Sequence, residues 1–92
     1  MLEIGGDIGA LILYAGEEYR EREIEVSPLG DDGHRTHTAI HERRVGGEVV
    51  FAGIYPQLPA GEYRLWTDDP TLTQTVAIVG GEVATVDWRK RS

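Results

Sequence analysis

The sequence predicts an all-β fold: a single Greek-key β-sandwich of about seven strands filling residues 1–92. Three observations lead there. Short runs of β-forming residues recur along the chain, most with the two-residue alternation of a half-buried strand. Gly and Pro separate them, at Gly46-Gly47, Pro56 to Gly61 and Gly80-Gly81 among other places. No stretch carries the 3.6-residue apolar spacing of an amphipathic helix.

Residues 2–4 read as a short edge strand, broken by Gly5-Gly6-Asp7. Residues 8–14 (Ile-Gly-Ala-Leu-Ile-Leu-Tyr) are nearly continuously apolar, the pattern of a strand covered on both faces or of a central one. Residues 15–22 are polar. Their i,i+4 pairs, Glu17/Glu21 and Glu18/Arg22, suit one helical turn, and a solvated loop suits the composition better. Residues 23–27 alternate, with Ile24 and Val26 inward and Glu25 outward, until Pro28. Residues 29–35 have the composition of a loop. Residues 36–43 read as one strand, with Thr36, Thr38 and Ile40 on one face and His37, Ala39 and His41 on the other. Gly46-Gly47 joins this strand as a hairpin to residues 48–55, where Val49, Phe51 and Tyr55 face the core.

Pro56 and Pro59 lack a backbone N–H, so the strand should end at Tyr55, with Leu58 plugging the core between them. Ala60-Gly61 reverses the chain, and Tyr63 and Leu65 face inward from the strand that follows. Residues 67–70 read as a turn. Residues 73–79 and 82–88 read as a last hairpin about Gly80-Gly81, with Val76 and Ile78 inward, and residues 89–92 as a basic tail.

The stretch Tyr55-Pro56-Gln57-Leu58-Pro59-Ala60-Gly61-Glu62-Tyr63-Arg64-Leu65 resembles a motif of the transthyretin-like (prealbumin-like) sandwich. The motif is an aromatic, two residues, then Leu-Pro-x-Gly-x-Tyr-x-Leu, as in collagen-adhesin B-type repeats and carboxypeptidase regulatory-like domains. The likeness runs from Gly6 to Trp88 and implies the sandwich fold, not an activity. Many adhesin members carry a Lys–Asn or Lys–Asp isopeptide crosslink formed by an early Lys. Here the one Lys is Lys90 and there is no Asn, so no such crosslink is expected. The hydroxyisourate hydrolases of the same fold end in Tyr-Arg-Gly-Ser. This chain ends in Trp88-Arg89-Lys90-Arg91-Ser92 and lacks their N-terminal His signature, so that activity is not expected either.

Composition narrows the function. A net charge of −7 opposes binding to nucleic acid and to anionic membranes. With no Cys, thiolate and disulfide chemistry is excluded, and the N-terminus has no signal-peptide pattern, so the expected location is the cytoplasm. No nucleophile–base pair, phosphate loop or calcium-loop spacing is present, and the chain reads as a non-enzyme. Its expected partner is a protein, another copy of itself included.

Two clusters could carry a role. His34, His37 and His41 with Asp32 are candidate ligands for a divalent transition metal (zinc, nickel or copper), the one cofactor the sequence suggests. On a regular strand His37 and His41 share a face but lie about 13 Å apart, so His34 and His37 with Asp31 or Asp32 form the inner set. The plain reading is a solvated strand face behind a polar loop. Trp66 shares its parity with Arg64, outside the core, and an aromatic beside an Arg is a composition enriched at protein interfaces. On that reading Trp66→Ala changes assembly or partner retention and leaves the melting temperature nearly unchanged; the plain reading is that Trp66 packs under the loop at 67–71 or the Arg64 stem.

Overall fold

The computed structural model describes residues 4–66 and 74–89. There the chain forms eight strands: β1 (Ile8–Ala15), β2 (Glu23–Pro28), β3 (Thr36–Ala39), β4 (His41–Val45), β5 (Glu48–Pro59), β6 (Gly61–Trp66), β7 (Gln74–Ile78) and β8 (Val83–Asp87). One 3-10 turn, Glu17–Tyr19, lies between β1 and β2, where the polar stretch allowed a loop or a helical turn. Among the described residues there is no α-helix, and no helix long and apolar enough to cross a membrane. The strands form two four-stranded sheets, ordered β4-β5-β1-β8 and β3-β2-β6-β7. Neighbours run antiparallel except β1 and β8, which are parallel.

The alternation read from the sequence builds the core. Leu11, Leu13 and Ala15 of β1 meet Ile24 and Val26 of β2 and Tyr63 and Leu65 of β6, with Ile40, Tyr55, Leu58, Ile78, Val86 and Trp88 completing the layer. Each large apolar side chain buried there is worth about 1.5–3 kcal/mol against exposure. Among the described residues, three side-chain hydrogen bonds cross between the layers. Tyr55 Oη donates to the Ile24 carbonyl, Thr38 Oγ1 donates to the Ile54 carbonyl at 3.1 Å, and Trp88 Nε1 donates to Gln74 Oε1 at 2.9 Å. At the β5–β6 corner Tyr63 Oη donates to the Pro59 carbonyl, four residues back, at 2.7 Å, which pins the reversal.

Four expectations are corrected. The strand expected at residues 36–43 is two strands. The chain leaves the second sheet at Ile40, whose N–H donates to the Arg22 carbonyl, and enters the first sheet at His41, which is why eight strands appear and not seven. The strand expected to stop at Tyr55 continues to Pro59. Pro56 is tolerated because β4 pairs only with residues 48–52 of β5, and among the described residues no strand pairs with the later part on that side. A register shift between Gly9 and Leu11 also falls there, and the shift takes up Pro56 and Gln57. Val49 has the inward parity expected but is 45% exposed, because the β4–β5 hairpin overhangs the opposite sheet. Finally, β7 and β8 do not pair. Gly80, packed against the Gly6 backbone, and Gly81, at φ +78°, carry the chain from one sheet to the other.

The Gly46-Gly47 hairpin is as expected, both residues having positive φ. Of the edge strand expected at 2–4, only Ile4 is among the described residues. The turn expected at 67–70 and the tail residues 90–92, with Lys90, lie outside them.

Candidate functional site

Alternation sends Glu62, Arg64 and Trp66 of β6 to the outer face of the second sheet, beside Glu23, Glu25 and Ser27 of β2. Glu25 lies opposite Trp66, and Ser27 opposite Arg64. This is a strongly charged face, yet Ser27 on it is fully buried. The cause is Trp66, whose indole lies down across the sheet and donates from Nε1 to Ser27 Oγ at 3.0 Å.

The other face of the indole is covered by arginine. The Arg35 guanidinium carbon sits 3.8 Å from the ring centroid, and that of Arg64 5.4 Å away. Arg35 is held flat by two hydrogen bonds, Nη1 to Glu25 Oε1 at 3.0 Å and Nε to the Asp32 carbonyl at 3.1 Å. Asp32 Oδ2 lies 3.7 Å from Arg64 Nη1, so one acidic residue tethers both arginines. Arg64 Nε is buried and has no hydrogen-bond partner among the described residues. The result is a half-exposed Trp clasped by two cations, each such contact being worth about 0.5–1 kcal/mol at an exposed site.

The expected pair of Trp66 and Arg64 is therefore together, on the outer face. Trp66 is also part of the fold, because it roofs Ser27, and the expectation that removing it spares stability is revised. Arg35 and Ser27 were missed. Ser27 has the parity of Glu25 and could have been placed on this face. Arg35 comes from a loop, and no periodicity locates a loop side chain.

The histidines are not gathered. His34 Nδ1 is 3.0 Å from Asp31 Oδ2, at the exposed tip of the loop. His37, on the outer face of β3, has Nε2 4.0 Å from Glu23 Oε2. His41 begins β4, in the other sheet, because the chain changes sheets at Ile40. Asp32 turns to Arg64. Among the described residues no three His, Asp or Glu side chains form a group that could hold a metal ion, so the expected set His34, His37, His41 and Asp32 is not one site. The Asp31–His34 couple is a hydrogen-bonded carboxylate and imidazole open to water.

Comparison of the chain with family models, with curated proteins and with solved structures finds no match.

Proposed function

We propose that this chain is a non-catalytic interaction domain of transthyretin-like build that docks a protein partner on the outer face of its second sheet. The observation that carries the reading is the Trp66 clasp. The indole is held in one orientation by Ser27 below and Arg35 above, so little conformational entropy is left to lose on binding. Trp and Arg are the residues most enriched at energetic centres of interfaces. The outward centre of the patch is the pair of guanidinium groups stacked on the indole, flanked by Glu23 and Glu62, which suits a partner that offers an acidic side chain at its centre and basic ones around it.

The test is site-specific photo-crosslinking in cells of the source organism, with the reactive residue at Thr75. That position is exposed and lies opposite Arg64 on the same face. One discrete protein adduct is expected, absent when the probe is at Glu17, exposed in the 3-10 turn, and reduced by the double substitution Arg35→Ala, Arg64→Ala. Adducts of equal yield at both positions, or at neither, would refute the assignment.

A further inference from the structure

The outer face of the first sheet is the chemical opposite of the second. Residues 8–14 have the composition of a strand covered on both faces or of a central one; β1 is central, and the chain covers its outer face only in part. Leu11, Leu13 and Ala15 are buried in the core, while Ile12 and Tyr14 point outward and are only half-buried. Ile54, beside Ile12, extends the apolar surface, whereas the outward Ala10 and Ala52 are buried and Thr85 and Asp87, beside Ile12 and Tyr14, are polar. Val50 adds to it from β5, and Val83 is 39% exposed. An antiparallel sheet with one solvated face ordinarily alternates polar-out, as β2 does with Glu23 and Glu25. β1 breaks that rule along its length.

We propose that this face is where two copies of the chain pair, sheet against sheet. Charge supports a second copy as the occupant. The chain carries −7, but on this face Arg43 and Arg89 offset Glu48 and Asp87, so two copies meet here without local repulsion. The signs are also placed for self-complementarity. Arg43 lies on β4 and Asp87 on β8, at opposite edges of the sheet. A two-fold axis in the plane of the interface and along the strands sets the β4 edge of one copy over the β8 edge of its partner, bringing Arg43 toward the partner's Asp87–Arg89 pair. It also stacks the Ile12–Ile54 row on itself, in the aligned packing usual for two sheets. The two longer dimensions of the molecule, 33 and 31 Å, bound the footprint at about 800 Å², so a standard interface would take up essentially the whole face. The proposal is independent of the Trp66 clasp, which lies on the other side of the sandwich.

Sedimentation velocity over a concentration series tests it. The intact chain should pass from monomer to dimer as concentration rises. Thr85→Arg, at an exposed position beside Ile12, should raise the dimer dissociation constant about tenfold or more, although it lowers the net negative charge. Ile54→Lys should do the same, with amide NMR spectra confirming that each variant is folded. Glu62→Arg, on the opposite sheet, should leave the constant unchanged. A folded wild-type chain that stays monomeric at all concentrations overturns the proposal. So does a dimer insensitive to Thr85→Arg.

Discussion

Tyr55 offers the sharpest check on how the two sheets are joined. Its ring is almost wholly buried, and its hydroxyl reaches from β5 across the core to the Ile24 carbonyl on β2. Tyr55→Phe keeps the ring and removes only that bond, stranding a buried acceptor at a cost of about 1–3 kcal/mol. For a chain of this size each kcal/mol moves the melting temperature by about 4–8 °C, so the variant should melt roughly 5–20 °C lower. A second signature comes from pH. Burial pushes the Tyr55 hydroxyl well above its ordinary value of 10.0; a hydrogen bond with the Thr38 backbone opposes this and the Glu25 charge adds to it. Below pH 10 both folded and unfolded states hold the proton, and the native stability is fully present. Above it the unfolded chain releases the proton and the folded chain keeps it. Stability therefore falls as pH rises, by about 1.4 kcal/mol per pH unit for this group. Tyr63, also raised by burial, acts in the same direction. Urea unfolding of wild type and Tyr55→Phe at pH 8, 10 and 11 should show the variant less stable at pH 8 but with a shallower alkaline decline, by about one proton's worth. Equal stability at pH 8, or parallel declines, would refute the assigned role.

Trp66→Phe should cost about 1 kcal/mol in urea unfolding, because Ser27 Oγ loses its partner in a buried setting; a neutral substitution would mean that the indole does not roof Ser27. Gly53→Ala should destabilise by about 1–3 kcal/mol, since the added methyl falls 2.8 Å from Thr38 Cγ2 and 3.1 Å from Ile40 Cδ1 in the opposite layer. In zinc titrations followed by histidine NMR at pH 7.5, the His41 ring should respond independently of His34 and His37, since it belongs to the other sheet; concerted shifts of all three at one equivalent would contradict the placement of β4.

Much of the core was legible because side-chain period survives wherever both faces of a strand differ. Ile24, Val26, Leu58, Tyr63 and Leu65 were all placed inward and are buried. Sheet membership was not legible. Thr38 and Ile40 keep one parity through the corner, and nothing in that alternation marks where hydrogen-bond partners change from β2 to β5. The same limit hid the separation of β7 from β8, because a Gly-Gly turn serves a hairpin and a crossover equally well. Val49 failed for another reason: parity says which way a side chain points, not whether anything lies opposite. Of the candidate site, Trp66 and Arg64 followed from the period of β6. Their third member, Arg35, depended on how a loop folds back.

The parallel pairing of β1 with β8 has a consequence for the growing chain. β1 spans Ile8–Ala15, and its partner on one side is Val83–Asp87. Made from the N-terminus at about 5–20 residues per second, the chain spends roughly 3–14 s between finishing β1 and starting β8. Through that interval β1 can pair with β5 on one side only. Its other edge, in a segment with no charge from Ile8 to Ala15, has open backbone donors and acceptors. The first sheet closes only when the last strand arrives. An uncharged, β-forming segment is thus made before the other described strands and is among the last of them to be shielded, and a truncation before Val83 should be lost to insoluble material even though most of the core residues are present.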